Sequence, residues 1–161
     1  MCIRDRVETV GNLGADLGEL VGRADERARL LSWLQTERLV TLSGLGGIGK
    51  TTLALSVARQ LSADLPGGSW LVEAEAVTTV DGLRTAIAST LQIRLGGSPN
   101  ARLCAALQAR GPLLLVLDNL EQVAAPGPAI LGWLRAAPEL RVLVTSRIRL
   151  QVRPERVLEL G

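Results

Sequence analysis

The amino-acid sequence predicts an α/β fold, a three-layer sandwich in which helices cover both faces of a five-stranded, mostly parallel sheet. Three observations carry this expectation. Short apolar runs alternate with segments of helical period, and Gly- or Pro-bearing turns separate them. One run, Leu113-Leu114-Leu115-Val116-Leu117, is apolar throughout and ends in Asp118. A strand buried on both faces reads in this way, and strands alternating with helices build parallel sheets.

The elements follow in order. Residues 1–18 carry glycine and charge without a period and read as a loose tail. Its opening, Met1-Cys2-Ile3-Arg4-Asp5-Arg6, lacks the apolar stretch of a secretion signal and is set aside as artefactual. Residues 19–161 then form one domain. Leu30, Leu31 and Leu34 give 24–35 a helical spacing, and 38–42 reads as a short buried strand. A glycine loop follows, then a helix over 50–61. Pro66-Gly67-Gly68 marks a turn before a strand at 70–73. Leu83, Ile87 and Leu91 define a helix over 80–93, and Gly96-Gly97-Ser98-Pro99 breaks the chain before a helix at 101–109. After Gly111-Pro112 come the apolar strand Leu113–Asp118, a helix at 129–136, and strands at 141–145 and 156–160. The chain stops at the end of a strand, which reads as a fragment of a longer protein.

Composition narrows the function. With 47% hydrophobic residues the chain is globular, and no apolar run is long enough to span a bilayer. A cytoplasmic protein without a membrane partner is expected. There is no His, so His-based catalysis and His metal ligation are excluded; Cys2 and Cys104 form neither a metal spacing nor a disulfide framework. Net charge is +2, too small to argue for nucleic acid. Lys50 is the single lysine among 18 basic residues, and it sits beside the glycine loop. A compact ammonium on a flexible stem suits a crowded phosphate cradle better than the planar fork of Arg.

Gly44-Leu45-Gly46-Gly47-Ile48-Gly49-Lys50-Thr51 fits the phosphate-loop pattern G-x-x-x-x-G-K-[ST], between a predicted strand and a predicted helix. Main-chain N–H groups in such a turn form an anion nest, and the following helix adds its unpaired N–H groups and dipole. Gly44, Gly46, Gly47, Ile48 and Gly49 are therefore expected to line the phosphates. Lys50 reaches the β- and γ-phosphates, Thr51 ligates Mg²⁺, and Thr52 donates to a nearer phosphate. The same glycines also fit the dinucleotide fingerprint G-x-G-x-x-G, with Glu73 where a ribose-binding acid would sit. Lys50-Thr51-Thr52 at the helix start argues against that reading.

Asp118 ends the most apolar strand and is expected to hold Mg²⁺ opposite Thr51. Asn119 cannot act as a base, which leaves Glu121 as the nearest carboxylate able to orient an attacking water. Arg141-Val142-Leu143-Val144-Thr145-Ser146-Arg147 is an apolar strand ending in hydroxyls and a cation. If it lies next to the glycine-loop strand, Arg147 faces the γ-phosphate as a sensor.

Taken together, Leu20-Val21-Gly22-Arg23, the run from Gly44 to Ala54, Leu113 to Asn119, and Thr145-Ser146-Arg147 resemble the NB-ARC branch of the STAND signal-transduction ATPases. The likeness is greatest to the nucleotide-binding domains of bacterial multidomain transcriptional regulators. It implies a five-stranded parallel sheet with the phosphate-loop strand central, and Val21, Gly22 and Arg23 by the adenine and ribose. It also implies an ATP/ADP switch with Mg²⁺, slow ATP hydrolysis at most, and helical and winged-helix partner domains beyond this module, with self-association possible in such systems. Two departures stand out. No His is present to sense the ADP β-phosphate, and Asn119 replaces a second acid. The alternatives are a small-molecule kinase, with Arg147, Arg149, Arg153 and Arg156 imitating a lid, and a DNA-binding module. Glu139, Glu155 and Glu159 interleave with those arginines and weaken the DNA reading.

Overall fold

The computed structural model describes residues 10–13, 23–45 and 49–160. The described residues form five helices and five strands in the order α1 (Ala24–Thr36), β1 (Leu39–Ser43), α2 (Lys50–Ser62), β2 (Ser69–Glu73), α3 (Val80–Leu91), α4 (Pro99–Ala109), β3 (Leu113–Asp118), α5 (Gly127–Ala136), β4 (Leu140–Ser146) and β5 (Arg156–Glu159), with a short 3₁₀ turn at Leu120–Gln122. The strands form one sheet in the order β2-β3-β4-β1-β5, and every pairing is parallel. The expected "mostly parallel" sheet is thus wholly parallel. The strand preceding the glycine loop, β1, is interior, flanked by β4 and β5, while β4 holds the middle.

Alternation along the strands builds the three layers. Leu39, Leu113, Leu115, Leu117, Val142 and Val144 face one way, onto Leu83 and Ile87 of α3, Leu103 and Leu107 of α4, and Ile130 and Trp133 of α5. Val40, Leu42, Leu114, Val116 and Leu143 face the other way, onto Leu30 and Leu34 of α1 and Leu53, Ala54 and Val57 of α2. All of β1 and β3 is buried, which is why β3 carries no polar residue before Asp118.

The helix ends have local causes. Thr79 caps α3 by accepting the Gly82 N–H at 2.9 Å, and Gln92 ends it in the left-handed region at φ 60°. Helix α4 starts at Pro99, two residues before the sequence-predicted start, and α5 starts at Gly127 with Pro128 in its first turn. Pro99 reads as part of a break in sequence, and the helix expected at 129–136 starts just after Pro128; in the fold both prolines lie in the first turn of a helix, where a missing N–H costs nothing. Arg38 holds the far end of α5, donating through Nη2 to the Leu134 and Ala137 carbonyls at 2.6 Å and through Nε to Leu140 at 3.1 Å. Burial, and then the neighbouring Arg141, pull its guanidinium below the usual arginine range.

Within the segment 1–18, expected to be a loose tail, the described residues 10–13 pack against the sheet, and the remainder lies outside the described residues. Gly11 bridges Ser69 in parallel, and the Asn12 side chain both donates to the Leu71 carbonyl at 3.0 Å and accepts the Leu71 N–H at 2.7 Å. This segment therefore covers part of the outer edge of β2, where unpaired strand groups would otherwise face solvent. Gly68 makes the approach possible: at φ +84° a Cβ would lie 2.2 Å from the Val10 carbonyl oxygen. Gly68→Ala is expected to cost more than about 1 kcal/mol in urea unfolding, through both backbone strain and loss of this docking.

Candidate functional site

The parallel sheet brings the ends of β1, β3 and β4 together beneath the start of α2. In α/β sheets ligands bind outside these carboxyl ends. β1 ends at Ser43, and α2 opens at Lys50 after Gly49, whose φ of +84° suits glycine. A Cβ at Gly49 would meet nothing within 4 Å, so its backbone conformation and not crowding favours glycine here. Gly46, Gly47 and Ile48, like Val21 and Gly22, lie outside the described residues.

Lys50 is only 6% exposed. Its Nζ donates to the Gly44 and Leu45 carbonyls, both at 2.8 Å. Two loop carbonyls thus hold the buried ammonium in place. Thr51, one residue on, points its hydroxyl at Asp118, with Oγ1 2.8 Å from Oδ1 and 3.0 Å from Oδ2. Thr52 is exposed on the first turn of α2.

Asp118 is 4% exposed and collects further donors. Thr145 Oγ1 donates to its Oδ1, and Asn119 Nδ2 lies 3.3 Å from Oδ2. Register explains the first of these: Leu117 pairs with Val144, so Thr145 follows beside Asp118 on the face toward α2. The sequence draws attention to the polar end of this strand but singles out Arg147 rather than Thr145. The face parity of Thr145 with Asp118, counted back along both apolar runs, is the signal that could have found it.

Asn119 adopts φ 58°, a left-handed conformation that Asn enters more readily than most residues, and its N–H is accepted by Thr145 Oγ1 at 2.9 Å. The chain then turns through the 3₁₀ segment, and Glu121 Oε1 accepts the Arg147 N–H at 3.0 Å. The loop after β3 is thereby tied to the loop after β4. The Arg147 side chain is exposed beyond the end of β4, which does lie next to β1. Arg23 caps α1 from outside and lies 3.4 Å from Glu26. Beside Asp118 opens a cleft of about 270 Å³ lined by Glu73, Glu75, Ala76, Asp118 and Asn119.

The AAA domain family matches residues 32–152, which span every element from the end of α1 to the loop after β4. This chain belongs to the AAA domain family. The AAA domain is 35% identical over 118 residues to a putative HTH-type transcriptional regulator of Mycobacterium tuberculosis, covering 71% of this chain and 13% of that one. It is 30% identical over 156 residues to the regulatory protein AfsR of Streptomyces griseus, covering 86% and 15%. The chain spans about a third or less of the curated relatives it matches. Among solved structures, Cdc6p of Pyrobaculum aerophilum matches with a TM-score of 0.68 at 17% identity, over 88% of this chain and 45% of that one. A STAND protein with a tetratricopeptide-repeat sensor from Pyrococcus horikoshii matches with a TM-score of 0.54 at 17% identity, over 88% and 23%. At these identities the structures speak to the fold, a P-loop ATPase sandwich. Among the described residues no helix is long and apolar enough to cross a membrane.

Proposed function

We propose that this AAA domain is the nucleotide-binding module of a regulatory ATPase of the STAND type, closest to its NB-ARC branch. It takes ATP or ADP with Mg²⁺ and works as a switch for domains it is joined to. The observation that carries the reading is the convergence of Lys50, Thr51, Asp118 and Thr145 where β1, β3 and β4 end. In the bound state the Lys50 ammonium exchanges its two loop carbonyls for β- and γ-phosphate oxygens. The loop amides, with Gly44, Gly46, Gly47, Ile48 and Gly49, cradle the phosphates, and Thr52 donates to a nearer one.

The residues present fit Mg²⁺. A hydroxyl and a carboxylate already in contact are hard oxygen donors, and Mg²⁺ is commonly held by one or two such groups together with substrate phosphates. Thr51 and Asp118 would hold it, and the ion would neutralise charge on the phosphates. Thr145 keeps the Asp118 carboxylate oriented through its hydrogen bond to Oδ1. Arg147 serves as the γ-phosphate sensor, supported by the adjacency of β4 and β1. Glu121, through the Arg147 N–H, couples that sensor to the loop after Asp118. Val21, Gly22 and Arg23 are assigned to the adenine and ribose on the NB-ARC resemblance. The regulatory names of the relatives support a switch that communicates with further domains of a longer chain, with direct DNA binding left to those domains.

Two of the four arginines that could imitate a kinase lid are engaged elsewhere. Arg149 pairs with Glu159, and Arg156 lies 3.5 Å from Glu37 with its guanidinium 4.3 Å from the Trp33 ring centroid. These arginines are spent on holding β5 and its loop.

Calorimetric titration with ATP and ADP, with and without Mg²⁺, tests the reading. The unmodified domain is expected to bind both nucleotides, and ATP more tightly with Mg²⁺. Asp118→Ala is expected to bind nucleotide still but to lose most of that Mg²⁺ dependence. A folded domain that ignores both nucleotides would rule the reading out.

A further inference from the structure

We propose that Glu73, the last paired residue of β2, is the carboxylate that orients the attacking water and takes its proton during ATP hydrolysis. This rests on the nucleotide-binding reading above and adds a catalytic residue to it. Hydrolysis needs a group to position water in line with the γ-phosphorus. The two residues that sequence places nearest to Asp118 are unsuited. Asn119 is an amide, and its conformation turns the chain toward β4. The Glu121 carboxylate is engaged by the Arg147 N–H.

The sheet supplies a third carboxylate, 45 residues back in sequence from Asp118 (118 − 73) and one strand away. β2 and β3 pair in parallel with Glu73 opposite Asp118. Directly paired residues of a parallel ladder project to the same face, from strands about 4.8 Å apart. That face is the α2 face: Val72 packs on the opposite core and Leu71 on the α2 core, so Glu73 follows Leu71. The backbone there is held beyond the last pair, because the Ala74 N–H donates to the Asp118 carbonyl at 2.9 Å.

The Glu73 side chain is exposed and makes no hydrogen bond or ion pair among the described residues. It lines the same 270 Å³ cleft as Asp118 and Asn119. Among the described residues no three His, Cys, Asp or Glu gather closely enough to hold a metal by themselves. Glu75 also lines the cleft, but it lies in the turn that the Val77 N–H closes onto the Ala74 carbonyl, past the paired part of the strand.

The step balances without a further reactant. The water oxygen bonds to the γ-phosphorus as the bond to the β–γ bridging oxygen breaks. The electron pair of that bond leaves on ADP, the water proton passes to Glu73 and then to solvent, and the products are ADP and inorganic phosphate.

The test measures phosphate release and calorimetric ATP affinity on the same preparations. Glu73→Gln is expected to lower kcat on the order of 100-fold or more, the usual contribution of a positioned base, with KM and ATP affinity within about threefold of the unmodified domain. It should retain ATP unhydrolysed, and Glu73→Asp should recover part of the rate. Glu75→Gln should hydrolyse at close to the original rate. Near-normal turnover in both Glu73 variants would overturn the proposal, as would loss of turnover confined to Glu121→Gln. An unmodified domain that binds ATP with Mg²⁺ and releases no phosphate overturns the role of Glu73 and leaves nucleotide binding standing. Failure to bind at all, seen first in calorimetry, removes both.

Discussion

Lys50→Ala is expected to abolish measurable nucleotide binding, lowering affinity by about a thousandfold or more, equivalent to roughly 4 kcal/mol. The Lys50 side chain is 6% exposed and, among the described residues, donates to the Gly44 and Leu45 carbonyls. No carboxylate neutralises it among the described residues, so a polyphosphate entering the loop meets a charge that water screens poorly. The same variant should fold at least as well as the unmodified domain, because a buried cation without a carboxylate contributes little to stability. Thermal unfolding separates the two effects. Without nucleotide the Tm of Lys50→Ala should equal or exceed that of the parent. At ATP concentrations about 100-fold above the parent's Kd, the parent alone should gain roughly 2.7 kcal/mol. A nucleotide-induced shift that survives in Lys50→Ala would show that the loop does not work through this ammonium.

Trp133→Ala should destabilise the domain by about 3–5 kcal/mol in urea unfolding, enough to threaten folding of a single domain. Trp133 is the largest fully buried side chain and fills the layer between α5 and the sheet. Its Nε1 also donates to Asn100 Oδ1 at 3.0 Å, joining α5 to α4. Trp133→Phe separates the two contributions. It keeps most of the ring volume and gives up the hydrogen bond, so it should cost well under half as much. The proposed nucleotide site lies toward α2, on the other face of the sheet from Trp133. Trp133→Phe should therefore bind ATP as the parent does, whereas a general loosening of the sheet would lower stability and affinity together.

Much of the fold was legible because its signals are local. Leu113 to Leu117 form a continuous apolar run that reads as a strand covered on both faces, and Leu83, Ile87 and Leu91 recur at the i, i+4, i+8 spacing of one helix face within a segment too long for an ordinary strand. Proline was the main source of misplaced ends. Pro99 and Pro128 have the same chemistry at a helix start as at a break, and only the path of the chain distinguishes the two. The 3₁₀ turn at Leu120–Gln122 left no trace in the period, since three residues are too few to show one. The docking of Gly11 and Asn12 on β2 was equally hidden, because it joins segments 58 residues apart (69 − 11) through one main-chain bridge and one side-chain amide, too little to leave a pattern in the sequence.

The site divides in the same way. Gly44 to Thr51 is contiguous, so its glycines, lone ammonium and hydroxyl could be read in one dimension, and Asp118 was marked by the apolar strand it ends. Those residues follow from covalent order together with the needs of a phosphate group. The neighbours of Asp118 do not. Thr145 and Glu73 stand beside it because β4 and β2 flank β3 in a particular register, and register is chosen by the packing of whole faces against α2 and α5. Chain order thus names the loop that would receive a phosphate, while the arrangement of the sheet decides which hydroxyl steadies the acid and which carboxylate shares its cleft.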